Sequence, residues 1–562
     1  MRPQCTGYFL TATKRLIPAM LALLVLAVPF PVDAQDEDEV IGPETAEPEA
    51  PAPSPAPEAT PVPEPVPPPP PPPVEESAAA VQPTPEPQPE KDEAAGKTVE
   101  KAATKDEEEP QPAAGVKKGF TFGSYGRMGF GTTEEGRAVK PFEIVGHPPR
   151  LFESNYVEVD LSYILDAAPD RYIKVLMTTA FVANFFHYSG SPDVDVAVRN
   201  LYIEVKGYLA SWLTVWAGSR MYRGDDIYLV DFWPMDMLNT IGGGLTFTPG
   251  PWEFKAHVGV NRLDDSFQLQ EIQVAADLFE PRTVVFMDRQ RFIASLKGTR
   301  YFLFREGDWS KGAKVSVYGE FHTLPDGYYY REDQPAEKLA ADYGWLVGAQ
   351  GGVWGLVRDS FFNLWVRGSG GLASYGELSI PFGLDAEKRT TRARDFLVGL
   401  SGNFEFGVGG LLGGAYLRYF RDADPNVYDL DDYWEGVLVA RLQFYVIDMI
   451  HLALEVGEAF RRTTGLAREI PIFDPDTGSF KPPPHEVPSV THAALMLIFS
   501  PLGKGTLTRP QIRLIGALQT PNAAARHLYP DEDIRSGGRK MKDNLFWTMG
   551  LQAEWWFNSS YR

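Results

Sequence analysis

Two short stretches bring aromatic rings and carboxylates onto one surface. In residues 155–163, extended backbone puts Tyr156, Glu158, Asp160 and Ser162 on one side and Val157, Val159, Leu161 and Tyr163 on the other. Further on, Gly550, Gln552, Glu554 and Trp556 share a side opposite Met549, Leu551, Ala553, Trp555 and Phe557. Side chains alternate with period two in a strand, so each set shares a face. An aromatic face takes apolar ligand surface out of water while a carboxylate accepts hydrogen bonds, which suits non-covalent recognition. Covalent chemistry has little support. There is no Gly-x-Ser-x-Gly elbow, P-loop or HExxH motif. The eight histidines are scattered, and His485 and His492 lack ligand spacing. Asp422–Asp432 and Asp474–Gly478 could bind calcium, but neither completes a twelve-residue calcium loop, and solvated Asp-rich turns are the commoner case. The chain is read as a non-enzyme with no cofactor and no metal.

The elements that must position these faces begin late. Arg2, Lys14 and Arg15 precede an apolar run from Leu16 to Val32, and Val32-Asp33-Ala34 offers a small-residue cleavage site. Residues 1–34 are therefore read as a secretory signal peptide, with an uncleaved anchor as the rival. The one cysteine, Cys5, falls inside that segment, so the exported chain would have no disulfide and no cysteine metal site.

Residues 35–118 hold 22 prolines, including the run Pro67–Pro73, with 20 acidic and six basic residues. Such a composition cannot bury a core and favours an extended, disordered polyproline-II chain. At about 3.1 Å per residue it would reach at most roughly 250 Å. A periplasmic spacer and a contact with the cell wall or a periplasmic partner are both open. The segment accounts for most of the net charge of −22. An acidic chain of this kind is a poor nucleic-acid binder, because phosphate contacts need clustered Lys and Arg.

From Gly119 prolines thin out and alternating segments of about ten residues recur, often with an aromatic at an end, as in Phe120 and Phe130 or Trp547 and Phe557. No unbroken apolar stretch of spanning length follows; the nearest, Leu438–Val456, contains Arg441, Asp448, His451 and Glu455. An exported chain of long strands with aromatic ends predicts an all-β transmembrane antiparallel barrel over 119–562, with its polar face lining a wet lumen. A tight turn at Ile447-Asp448 between Val437–Val446 and Met449–Gly457, against a long loop over 461–489, predicts alternating short and long connections. Arithmetic allows 16 strands at about 27 residues per repeat or 18 at about 24.

Several stretches resemble the maltoporin family of sugar-specific porins. They are Gly123-Ser-Tyr-Gly-Arg-Met-Gly129, Arg150-Leu151 with Asn155-Tyr-Val-Glu-Val-Asp-Leu161, and Trp216-Ala-Gly-Ser-Arg-Met-Tyr222 running on to Asp226, Ile227 and Val230-Asp-Phe-Trp233. Leu454-Glu-Val-Gly457, Arg509-Pro-Gln-Ile-Arg513 and Trp547–Trp556 continue the series. The resemblance implies a homotrimer of 18-stranded barrels in outer-membrane lipid, each with a pore narrowed by an inward-folded loop. It also implies a path of aromatic side chains at Tyr125, Tyr156, Trp233 and Trp556, flanked by Arg127, Glu158, Arg199, Asp226 and Asp231. A pyranose ring has apolar C–H faces and a hydroxyl rim, so such a path fits small carbohydrates, and many weak sites guide without trapping. Two departures stand out: Leu507 where the family has a path tryptophan, and Gly224 at a constriction arginine. Five residues, Asn558–Arg562, also follow the usual terminal aromatic.

A strand aromatic in a barrel is commonly lipid-facing. Alternation argues against that for Tyr156 and Trp556 and leaves Trp233 undecided. The expectation is a passive outer-membrane channel for small carbohydrates, its proline-rich arm in the periplasm. A general-diffusion porin, or a barrel that anchors a cell-wall tether, is the alternative.

Overall fold

A computed structural model describes residues 117–182, 195–265, 267–275, 281–331, 334–377, 379–424, 432–463, 472–474, 479–481, 486–526, 528–529 and 545–561. The leader, nearly all of the proline-rich arm and most of the two acidic turns lie outside the described residues.

Eighteen strands form one antiparallel sheet that closes on itself. The first, Gly119–Thr133, pairs with the second, Tyr156–Ala168, and also with the last, Phe546–Phe557. Closure removes the free sheet edges that a bilayer would leave without hydrogen-bond partners. The expected barrel is therefore found, and it has the 18 strands of the resemblance.

Alternation decides which way each side chain faces. In Gly312–Leu324, Ser316, Tyr318 and His322 are buried while Val315, Val317 and Phe321 are exposed. Tyr156–Ala168 behaves alike: Tyr156, Glu158 and Asp160 are buried, whereas Val157, Val159 and Leu161 are only partly so. Polar side chains thus fill the inside, and large apolar ones such as Leu296, Ile241 and Leu495 cover the outside. That inversion is what a hydrocarbon surround requires. Phe120 (64% exposed) and Phe130 (60% exposed) stand outward near the two ends of the first strand.

Short connections such as 169–170, 248–251 and 406–408 alternate with long ones such as 134–155, 224–236, 262–290 and 372–393. The turn expected at Ile447-Asp448 is slightly wider, spanning 446–449 between Tyr433–Tyr445 and Ile450–Thr463. Small hairpins, Leu269–Ala275 with Pro281–Asp288 and Gly327–Tyr329 with Glu337–Leu339, extend two of the long connections.

Candidate functional site

Between the strands Leu213–Arg223 and Met237–Phe247 the chain turns into the lumen. Residues 224–236 carry a short 3-10 turn, Tyr228–Val230, and bury Ile227, Leu229, Val230, Phe232 and Met235. These side chains cluster with Trp365, Leu397, Leu412, Tyr416 and Val437, which face inward from wall strands well removed along the sheet. Burying an apolar side chain of this size is worth about 1.5–3 kcal/mol over leaving it wet, so the cluster holds the segment across the barrel.

Polar ties fix its path. The backbone N–H of Arg150 donates to Leu229 O at 2.9 Å, and its Nη1 donates to Tyr228 O at 3.2 Å. Arg367 Nη1 donates to Pro234 O at 2.7 Å. At the base, Gly224 N–H donates to Asp236 O at 3.0 Å. Lys314 pairs with Asp225 at 2.7 Å, and Lys297 pairs with Asp236 at 2.8 Å.

The aromatic residues expected of a path meet beside this segment. Tyr125, Tyr156 and Trp233 share one buried cluster, with Trp556 packed against it. The Tyr125 ring centroid lies 6.1 Å from Tyr156 and 6.5 Å from Trp556, because Tyr125 sits opposite Glu158 on one neighbouring strand and opposite Trp556 on the other. Trp556 also meets Tyr228 edge-on at 6.2 Å. Trp233, undecided in the sequence, is buried on the inward segment and does not face lipid.

The charged residues fall into two groups. Arg127 Nη1 lies 3.2 Å from Glu153 and 3.3 Å from Asp231, and its guanidinium sits 5.3 Å from the Tyr156 centroid. Glu158 accepts the Tyr156 hydroxyl and pairs with Arg199 at 3.5 Å. Asp231 takes a left-handed backbone (φ 49°), a conformation that aspartate tolerates better than most residues, and this turns its carboxylate toward Arg127. Asp226 lies half-buried in the same segment, just ahead of the 3-10 turn. Tyr125, Tyr156, Trp233, Trp556, Arg127, Glu158, Arg199 and Asp231 are therefore brought into one neighbourhood.

Sequence reasoning missed several partners. Arg223 places its guanidinium 4.1 Å from the Trp233 ring centroid, next to the glycine that departs from the resemblance at position 224. Its Nε and Nη1 are enclosed with no acceptor among the described residues. Arg150 donates to the Tyr125 hydroxyl at 2.9 Å and pairs with Glu153 at 2.7 Å. Burial works against its charge, but Glu153, Tyr125 and Asp231 outweigh that and hold its pKa well above the ordinary arginine value. Glu554, already set by alternation on the face of Trp556, gathers two arginines that were not foreseen as its partners, Arg509 at 2.9 Å and Arg513 at 2.6 Å. A second aromatic group lies on the wall, where Arg220 faces Tyr202 (4.6 Å), Trp216 (5.1 Å) and Tyr222 (5.3 Å). Alternation along Trp216–Tyr222 puts Trp216, Arg220 and Tyr222 on one face, a signal that could have found it.

Among the described residues no group of three or more His, Cys, Asp or Glu is arranged to hold a metal ion.

A family model described as LamB porin matches residues 120–557. A maltoporin of Hahella chejuensis is 28% identical over 167 residues, covering 28% of this chain and 41% of that protein. The match thus spans well under half of that relative's length. Among solved structures, OccD3 (OpdP) of Pseudomonas aeruginosa is 9% identical, with 80% of this chain and 94% of that chain covered and a TM-score of 0.38. The outer-membrane protein OmpT of Vibrio cholerae is 10% identical, with 79% and 99% covered and a TM-score of 0.33.

Proposed function

We propose a small-carbohydrate channel on one premise: this chain belongs to the LamB porin family, so its barrel is an outer-membrane porin. The observation that carries the proposal is the buried group of Tyr125, Tyr156, Trp233 and Trp556, set against an inward-folded segment and bordered by charge. In this reading the rings take the C–H faces of a sugar from water. Arg127, Glu158, Arg199, Asp226 and Asp231 replace the hydrogen bonds that its hydroxyls lose. Arg223, with two enclosed N–H donors, supplies the guanidinium where Gly224 lacks one. Passage is passive and follows the concentration gradient, through contacts weak enough to release the sugar.

Other charges in the lumen favour a second reading. Arg367 and Arg418 flank Asp395 at 2.8 and 2.5 Å on the wall, while Asp225 and Asp236 sit on the inward segment. Charged groups lining a lumen without a commitment to one ligand suit a general-diffusion porin. The two readings part in a planar bilayer. Maltodextrin or sucrose should block ion current in a sugar channel at modest concentration, whereas a general pore conducts undisturbed.

The reading extends to the assembly. The leader over 1–34 directs export, the barrel forms a homotrimer, and the arm over 35–118 lies in the periplasm, where it reaches the cell wall or a periplasmic partner. Deleting 35–118 would abolish a tethering role and leave conductance unchanged.

A further inference from the structure

The last strand ends at Phe557, and the residues after it bend back into the barrel. Asn558 takes a left-handed backbone (φ 46°), which asparagine accepts readily. Its Nδ2 donates to Phe122 O at 3.2 Å. Room for this turn comes from Gly123, where a Cβ would stand 2.0 Å from the Asn558 carbonyl oxygen. Ser560 then reaches the inner wall. Its N–H donates to Asp160, its hydroxyl donates to Asp160 Oδ1 at 2.8 Å, and Asn200 Nδ2 donates to that hydroxyl at 3.3 Å.

Tyr561 ends this return beside the inward segment. Its ring stacks on Tyr125 at 4.1 Å with the planes 13° apart, and it meets Trp233 edge-on at 5.6 Å. The Arg223 guanidinium lies 4.5 Å from its centroid. Its hydroxyl donates to Asp231, 2.9 and 3.0 Å from the two carboxylate oxygens. Tyr561 is only 8% exposed.

A phenol ring has two apolar faces and a hydroxyl at its rim, which is the chemistry of a pyranose in miniature. Tyr561 engages the stacking face, the cation and the carboxylate that the carbohydrate reading assigns to the sugar. We propose that Asn558–Tyr561 is a tethered competitor: Tyr561 occupies the sugar position between Tyr125, Trp233, Arg223 and Asp231, and a sugar binds there when Tyr561 withdraws. The identity of the competitor's rival rests on that carbohydrate reading, whereas the narrowing of the lumen by Tyr561 does not.

The consequences follow from linkage. A tether of a few residues presents its ring at an effective concentration in the millimolar range or above. The observed sugar affinity is then the intrinsic one multiplied by the fraction of pores in which Tyr561 is withdrawn. That factor is the same for every sugar that needs the position, so Tyr561 lowers all of their affinities together and leaves their ranking to the intrinsic contacts.

The test uses the full chain in planar bilayers with maltohexaose as the probe. Tyr561→Ala is expected to raise single-channel conductance about twofold or more and to lower the half-blocking maltohexaose concentration several-fold. Ser560→Ala keeps the ring but loosens its hold on Asp160, so it should shift both quantities the same way by less and add on–off current steps. It also covers the case in which Tyr561→Ala fails to fold. Unchanged conductance in both variants would overturn the proposal, as would a higher half-blocking concentration, which would make Tyr561 one more rung for the sugar. Raised conductance with no block in either parent or variant would sink the carbohydrate reading and the competition, and leave only an occluding residue.

Discussion

The Tyr228 hydroxyl donates to Glu554 Oε2 at 2.6 Å, so the 3-10 turn on the inward segment is bonded to the last strand of the barrel. Glu554 is not committed to that bond alone. Arg509, Arg513 and Arg150 approach it at 2.9, 2.6 and 3.6 Å, and the first two also bond the Tyr228 oxygen. A buried carboxylate among guanidinium groups makes strong, directional bonds. Tyr228 is thus held at a fixed place in the lumen, its ring edge-on to Trp556 at 6.2 Å.

Removing that hydroxyl tests the arrangement gently. Tyr228→Phe keeps the ring and leaves Glu554 paired with Arg509 and Arg513, so the cost should be about 1–2 kcal/mol. The detergent-solubilised protein should unfold at a slightly lower temperature, and its open-channel current should become noisier as the segment moves. Glu554→Gln should be far worse, about 3–5 kcal/mol, because two buried guanidinium groups lose their anion. Equal effects of the two substitutions would deny the carboxylate its central part.

A substitution at Tyr156 tests the proposed sugar path apart from ion flow. Its ring lies 6.1 Å from Tyr125 and 5.3 Å from the Arg127 guanidinium, on the wall and not on the segment that narrows the lumen. Tyr156→Ala should raise the half-blocking oligosaccharide concentration several-fold, in line with about 0.5–1.5 kcal/mol for one aromatic contact. Ion conductance should stay close to the parent's. Block that is unaffected by the substitution would remove Tyr156 from the path.

Some of this was written in the period-two pattern and some was not. Alternation put Tyr156 with Glu158 and Trp556 with Glu554, and those residues do share the inner face. It could not speak for Trp233, which sits outside any strand and owes its place to Ile227, Leu229 and Phe232 packing on distant wall residues. Nor could it identify 224–236 as the inward segment, since that depends on contacts between positions far apart in the chain, such as Tyr228 with Glu554. Gly224 was legible as a departure, but the guanidinium beside it on Arg223 needed the turn geometry to appear. Asn558–Tyr561 was visible only as an overhang. Its return into the lumen depends on the room that Gly123 leaves on the opposite strand.

His147 should make the stability of the fold respond to acid. It stacks on Phe232 of the inward segment at 4.1 Å, and its backbone N–H donates to Tyr416 at 3.2 Å. Burial, with Arg418 and Arg367 nearby and Asp231 only partly opposing them, pushes its pKa from 6.5 down to about 4. The unfolded chain therefore takes up a proton more readily than the folded one. Stability is full above about pH 6.5 and is lost as pH falls toward 4, by about 3 kcal/mol. Thermal midpoints at pH 7 and pH 4.5 should differ less for His147→Phe, which keeps the stacking, than for the parent. Identical acid losses in the two proteins would point to another titrating group.

The seat of the inward segment can be tested from the wall side. Gly414 belongs to Gly409–Arg421, on the same face as Leu412 and Tyr416, and a Cβ there would lie 2.5 Å from Ile227 Cγ2 and 4.0 Å from Leu229 Cβ. Real side chains do not approach that closely, so Gly414→Val must push Ile227 off the wall. Overpacking of this kind costs about 1–3 kcal/mol. Because Ile227 and Leu229 are what hold 224–236 across the lumen, their displacement should also widen the passage, and single-channel conductance should rise as the thermal midpoint falls. Gly413 is the matched control. It points to the opposite face, and a Cβ there would come no closer than 3.9 Å to Val439 O. Gly413→Val adds β-branched apolar surface toward the bilayer, so conductance should be unchanged and stability unchanged or slightly improved. Were both substitutions to lower stability while neither altered conductance, the wall contact at Ile227 would be packing alone, and the width of the pore would be set elsewhere.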